Sequence, residues 1–307
     1  LAIIGIFWLP GIAAAEWTAL GLARSTTAAA EVRIGLDTQH ADGRWQDDRS
    51  RPGEKFSLIE RRALLEAWTD LRRGFWVSAR LPIVQRSLDR TDAGSRDAER
   101  IGPGDGEVAV GWFSRPDAAN GRGGLELRWK APSGAADLSW GDGSLQEPAL
   151  ASLGTGGHDI DLWGGWQRRW QRVSLAAAAG LRVRTPSRAT WLWNGVLLGG
   201  TTPHDRILAQ AVIAWQAADA LRLSGGLESF HELVRGGLAD QNTSHATTAR
   251  LEIEVGNGPW AGALAAELPV VGRNWPDAPP FGMAEREPLV GPRLGGSLIW
   301  RFAGDAR

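Results

Sequence analysis

The chain of 307 residues contains no cysteine and no tyrosine. Without cysteine there is neither a disulfide framework nor a thiolate metal site. Lysine is almost missing as well, with Lys55 and Lys130 set against an otherwise all-arginine basic population. Basic and acidic residues number 34 and 35, for a net charge of −1, so no bulk field calls for a nucleic-acid partner. Past residues 1–15, no stretch reaches the roughly 18 uninterrupted apolar residues of a transmembrane helix. Residues 1–15 are an apolar run ending in Ala13-Ala14-Ala15. They resemble the later part of a secretory signal peptide, here without its basic start. A second small-residue site falls at Ala28-Ala29-Ala30.

Glycine and tryptophan are abundant, at 40 and 17 residues. The clearest pattern lies at 154–185. Ile160, Leu162, Gly164 and Trp166 alternate with Asp159, Asp161, Trp163, Gly165 and Gln167. After a short polar turn, Val173, Leu175, Ala177, Ala179, Leu181 and Val183 alternate with Ser174, Ala176, Ala178, Gly180, Arg182 and Arg184. A period of two means strand, because successive side chains point to opposite faces. Each arm has about ten residues, the length a tilted strand needs to cross a bilayer. One face is apolar and the other charged, which suits lipid outside and water inside. The plainer reading is a hairpin in a large soluble sheet.

The same alternation recurs along the chain. Outward-type faces are Val32, Ile34 and Leu36; Ala63, Leu65 and Ala67; Phe75, Val77, Ala79, Leu81 and Ile83; Val108, Val110 and Trp112; and Leu125, Leu127 and Trp129. After the central hairpin come Ile207 to Trp215, Leu221 to Leu227, Ala249 to Val255, Trp260 to Leu268, and Leu294 to Phe302. These are twelve strand segments joined alternately by short turns and long polar loops. The long connections include 90–105, 132–157, 186–205, 233–245 and 272–292. A soluble sandwich has no reason for that alternation, whereas an outer-membrane barrel has short periplasmic turns and longer extracellular loops. The expected fold is therefore all-β, a 12-stranded antiparallel transmembrane β-barrel in the bacterial outer membrane. Phe75, Trp112, Trp166, Trp215, Trp260 and Trp300 fall near short turns or the final strand end, as one aromatic girdle at the periplasmic interface. With no tyrosine, tryptophan does most of this anchoring. The outer girdle is thinner, with Trp129 and Phe56. The expected organisation is a truncated signal peptide at 1–15, a periplasmic lead-in or small plug at 16–30, the barrel at 31–302 and a tail at 303–307.

The opposite faces carry charges of both signs. The lumen-lining candidates are Glu66, Arg80, Glu126, Arg128, Asp161, Arg182, Arg222, Glu228, Arg250 and Glu252. Charges packed in a narrow lumen must pair, so ion-pair ladders holding the wall together are one reading. A polar pathway that selects what passes is the other, and both can hold at once. Glu66 and Arg80 face inward across the turn at 71–74 and are expected to sit near one another.

Catalysis has little support. The histidines are His40, His158, His204, His231 and His245, and the only suggestive neighbours are Ser244-His245 and His204-Asp205. Adjacency in sequence does not create the hydrogen bond a nucleophile needs. No catalytic residue, metal site or cofactor is expected. An outer-membrane lipid-modifying enzyme remains a rival, and a serine and histidine within hydrogen-bond distance at the rim would be its structural sign. A structural barrel with a blocked lumen is the second rival.

Several short motifs occur in a telling order: Trp68-Thr69-Asp70-Leu71, Arg80-Leu81-Pro82-Ile83-Val84, Gly102-Pro103-Gly104-Asp105, Lys130-Ala131-Pro132-Ser133-Gly134 and Leu153-Gly154-Thr155-Gly156. In these the chain resembles the outer-membrane transporter-type barrels that include the phenol-degradation meta-pathway proteins, over roughly residues 58–302. It departs from them at Pro103 between the glycines and at Ala131-Pro132-Ser133. The resemblance implies a 12-stranded barrel passing small, hydrophobic or aromatic solutes. The expected partners are outer-membrane lipid, lipopolysaccharide and the solute, with the barrel-assembly machinery reading the final strand at 293–302 during biogenesis.

Overall fold

The computed structural model describes residues 28–44, 55–90, 98–117, 120–134, 153, 157–185, 191–193, 196–198, 205–233, 245–256, 258–273 and 292–303. The expected signal peptide, most of the lead-in, residues 304–307, His204, Ser244 and the side chain of Phe56 lie outside them. The first half of the chain forms β1 (Ala28–Arg44), β2 (Lys55–Asp70), β3 (Phe75–Arg90), β4 (Ala98–Pro103), β5 (Gly106–Phe113), β6 (Gly121–Ala131), β7 (Asp159–Trp170) and β8 (Val173–Arg184). The second half forms β9 (Trp191–Trp193), β10 (Val196–Leu198), β11 (Asp205–Ala218), β12 (Leu221–Leu233), β13 (His245–Val255), β14 (Trp260–Arg273) and β15 (Arg293–Ala303). Among the described residues no helix is long and apolar enough to cross a membrane.

Each long strand pairs antiparallel with its sequence neighbours, and β1 pairs with β15 from Ala28↔Ala303 to Gln39↔Arg293. That last pairing closes the sheet. A closed barrel leaves no open edge, so the backbone N–H and C=O groups along its ladders pair with a neighbouring strand and not with water. Thirteen strands make twelve staves, because β4 sits above β5 in one position beside β3. β9 and β10 form a separate small hairpin. The short connections 71–74, 114–120, 171–172, 219–220 and 256–259 share one end of the barrel with both described chain ends. The long connections share the other end.

Two stretches expected as loop contain strand. Ala98–Pro103 within 90–105 is β4, and the 186–205 connection holds β9 and β10. The reason for the broken stave is local. The β3–β5 ladder ends at Arg80↔Glu107 and the β3–β4 ladder begins at Ile83↔Pro103. Pro82 lies in the gap and has no N–H to donate. Its carbonyl instead accepts from Gly104 N at 2.9 Å. Ser133 then bridges the break, its hydroxyl accepting from Gly106 N at 2.7 Å and donating to Gly104 O at 2.9 Å.

The alternation assigns faces as expected. Ile34, Leu36, Leu81, Ile83, Leu125, Leu162, Leu251, Leu264 and Leu298 are exposed on the outer surface, while Asp37, Glu60, Glu126, Asp161 and Arg250 are buried within. This is the reverse of a water-soluble protein, and only an apolar solvent outside makes it stable. Phe75, Trp112, Trp166, Trp215, Trp260 and Trp300 are all on the exposed outer face. Phe75 pairs with Trp112, and the indoles of Trp260 and Trp300 stack at 5.0 Å. The tight turn at 71–74 depends on Gly74, whose φ is +84°, and a Cβ there would strike the Phe113 carbonyl.

Placing a charge in the outer band tests this assignment. Leu162→Arg and Leu251→Arg are each expected to cost about 2–4 kcal/mol in urea unfolding of lipid-reconstituted protein. Glu228→Gln, on the opposite parity, is expected to cost well under ~1 kcal/mol. Equal losses from all three would mean that the faces are reversed or mixed.

Candidate functional site

The interior is the candidate site, and period two builds it. Every inward position of a strand sits level with inward positions on its two neighbours, so side chains of opposite sign meet across the ladder. Around one half of the wall, from β12 through β15 and β1 to β3, they form one connected network. Arg222 lies 3.8 Å from Glu254, and Glu254 is bonded to Arg301. Arg301 meets Glu31 at 3.3 Å, Glu31 meets Arg33 at 3.7 Å, and Arg33 meets Glu252 at 3.6 Å. Arg250 joins Glu252 at 3.1 Å to Glu267 at 2.8 Å. Arg293 links Glu267 at 3.4 Å to Glu60 at 3.9 Å and donates to Gln39 at 2.7 Å. Glu60 holds Arg86 at 2.6 Å, and Arg62 contacts Glu60 at 3.6 Å and Asp37 at 3.0 Å.

Smaller groups occupy the other half. Arg80 reaches Glu107 at 3.0 Å, and Arg128 is bonded to Glu126 and lies 3.9 Å from Glu107. Asp161 receives a fork from Arg182, Nε to Oδ1 at 2.7 Å and Nη2 to Oδ2 at 2.8 Å. Asp159 takes Lys130 at 2.5 Å and Arg184 at 3.4 Å.

The candidates read from sequence fall into these groups. Glu66 pairs in register with Arg80 across the turn, as expected, and with Arg33 on the other side. Arg80, Glu126 and Arg128 form one cluster, Asp161 and Arg182 a second, and Arg222, Arg250 and Glu252 belong to the large network. Glu228 differs from them in exposure. Its parity is inward, level with Gln210 and Thr248, yet it is exposed, so solvent reaches the interior at that height. Sequence reasoning missed Glu31, Arg86, Glu107, Glu267 and Arg293. Strict parity carried to the true strand ends would have found them, since the strands run further than the apolar faces alone suggest.

It also missed an apolar sector of the interior. Trp163, Ala176, Ala178 and Leu208 form one buried cluster with Phe113 and Phe230 against it. Trp68, Trp76 and Ala109 form another, which also meets Phe113. The rings lie flat against glycines directly opposite in the ladder: Trp76 on Gly111, Phe113 on Gly124 and Trp163 on Gly180. Guanidinium groups cover two of the rings, Arg122 over Phe113 at 4.2 Å and Arg206 over Phe230 at 4.3 Å.

The described histidines are on the outer surface near the long-connection end. Trp129 Nε1 donates to His158 Nδ1 at 3.1 Å. His231 and His245 pair in register with ring centroids 6.2 Å apart. His40 Nε2 lies 2.8 Å from Ser57 Oγ. Asp205 accepts from the Arg184 backbone N–H at 3.0 Å. Among the described residues no group of three or more His, Cys, Asp or Glu is placed to hold a metal ion.

This closed, apolar-skinned, charge-filled architecture is that of the outer-membrane β-barrels. The chain is similar to the COG4313 outer membrane channel from Pseudomonas putida F1, with a TM-score of 0.64 and 12% identity, over 91% of this chain and 97% of that one. It is also similar to the translocator domain of the autotransporter NalP from Neisseria meningitidis, with a TM-score of 0.50 and 12% identity, over 92% and 91% of the two chains. No protein-family model and no curated protein matches the sequence.

The pairing gives a direct energetic test. Asp161→Leu takes away the carboxylate that Arg182 forks and is expected to cost about 3 kcal/mol. Adding Arg182→Met removes the cation that faced it and is expected to restore most of that loss, as read in a double-mutant cycle by urea unfolding. A double variant as unstable as the single one would show that the fork contributes nothing through its charges.

Proposed function

We propose that the barrel is an outer-membrane channel that passes small solutes, hydrophobic or aromatic ones among them. The observation that carries this reading is the mixed interior: a large ionic network from β12 round to β3, an aromatic and alanine sector interleaved with smaller ion-pair groups from β2 round to β12, and a solvent-reached Glu228 on β12. A solute with an apolar body and a polar group finds both kinds of surface there. The likeness to a protein described as an outer membrane channel supports the reading at the level of fold. The lumen-lining residues offered for selectivity are Arg222, Arg182 and Glu228, because solvent reaches them at least in part. Glu126, Arg128, Arg250 and Glu252 are buried and serve first to hold the wall.

The outer aromatics Phe75, Trp112, Trp166, Trp215, Trp260 and Trp300 then act as the periplasmic girdle, where an amphipathic indole is favoured. Trp129, stacked on His158 at 5.8 Å, marks the opposite interface. Lipid and lipopolysaccharide surround the barrel in this reading, and the barrel-assembly machinery inserts it by way of β15.

Planar-bilayer conductance and liposome flux of a small aromatic solute are the tests. Arg222→Glu is expected to move the reversal potential toward cations and Glu228→Lys toward anions, with far-UV CD and heat-modifiability unchanged. A wild-type protein that carries neither ions nor the aromatic solute fails the channel reading, and a structural barrel with a filled lumen takes its place.

A further inference from the structure

The His40–Ser57 contact has no part in a lumen. Ile34 and Leu36 are exposed on the outer face of β1, and His40 continues the same parity toward the long-connection end. On β2, Leu65, Arg61 and Ser57 share the matching outward parity, and the ladder sets His40 opposite Ile59 and Thr38 opposite Arg61. The two side chains therefore sit on the barrel's exterior, just above an apolar strip made by Ile34, Leu36, Leu65, Leu81 and Ile83. A lipid packed on this strip keeps its acyl chains beside the leucines and isoleucines and its ester linkages and headgroup beyond them, on the side where His40 and Ser57 lie.

We propose that Ser57 and His40 are a nucleophile and its general base, acting on ester-linked acyl chains of lipids in the outer leaflet. Nε2 lies 2.8 Å from the serine oxygen. In the tautomer protonated at Nδ1, Nε2 accepts the hydroxyl hydrogen, which is the geometry that activates a serine. Ser57 Oγ attacks the ester carbonyl carbon while Nε2 takes its proton. The tetrahedral intermediate collapses with loss of the lipid alkoxide, which leaves as an alcohol with the proton returned by Nε2. Water, deprotonated by the same nitrogen, then cleaves the acyl-serine to a free fatty acid and restores the hydroxyl. No metal, oxidant or cofactor enters the balance. The rigid ladder between β1 and β2 holds both residues, and the channel reading does not depend on them.

The test uses the full chain, refolded and reconstituted. A fluorophosphonate is expected to phosphonylate Ser57, located by peptide mass spectrometry, and His40→Asn is expected to lower the labelling rate ~100-fold or more. Two lipid arms separate the substrates: phosphatidylethanolamine vesicles and vesicles containing lipid A, each assayed for released fatty acid against Ser57→Ala. Release in either arm above Ser57→Ala supports the proposal and names the lipid. No adduct at Ser57, or an adduct with no release in either arm, overturns it. Ion conductance measured on the same samples is expected to be equal in wild type and both variants. Loss of conductance alone would fail the channel reading and leave this one standing.

Discussion

The pairing of β1 with β15 is the constraint on which the rest depends. The two strands come from opposite ends of the chain, and their ladder from Ala28↔Ala303 to Gln39↔Arg293 removes the last open edge. In hydrocarbon an unpaired N–H or C=O costs several kcal/mol, so an open sheet of this length cannot stay in a bilayer. Closure makes the inversion of hydrophobicity stable, with leucine and isoleucine outside and arginine and glutamate inside. It also sends every irregular connection to one of the two ends, where water satisfies it.

Closure in turn governs the interior. Charges on neighbouring strands are held level by the ladder, and the cost of burying them is met only where each finds a counter-charge. The large network from Arg222 around to Arg86 does this across the β1–β15 seam: Arg301 bridges Glu31 of β1 and Glu254 of β13, and Arg293 reaches Gln39 and Glu60. The seam is thus fastened by side chains as well as by backbone. From β3 round to β8 the wall adds a different device to its smaller ion-pair groups. There large rings lie over glycines of the next strand, Trp76 on Gly111 and Trp163 on Gly180, so aromatic bulk is seated without pushing the strands apart. Narrow barrels need such sockets because inward side chains compete for the same volume.

The outer surface is not uniform lipid contact either. Between the apolar band and the long connections lie His158 against Trp129, His231 beside His245, and His40 on Ser57. These polar groups mark where the outer apolar band gives way to polar surface. A pathway inside the barrel and chemistry on its outer rim can share one scaffold because the two faces of each strand are independent.

The strands, their faces, the barrel class and the alternation of short and long connections were legible in the sequence. They depend on local rules: period two, turn chemistry and strand length. Leu162 and Asp161 could be assigned to opposite sides from their neighbours alone. The break at Pro82 and Gly104, the β4 segment and the reach of β1 to Ala28 were not legible, because charged residues near the rim blur the apolar alternation. Which charges meet was legible only in part. Arg80 is level with Glu66, as the turn implied, but its ion pair with Glu107 and the bond of Arg128 to Glu126 on its own strand could not be read in advance. The contact between His40 and Ser57 spans 17 residues and was hidden behind the sequence neighbours Ser244-His245 and His204-Asp205. Periodicity determines the face of a residue, since that follows from its own strand. Only the tertiary structure decides its partner, since that follows from the register between strands, and register is set by all the ladders of the closed barrel at once.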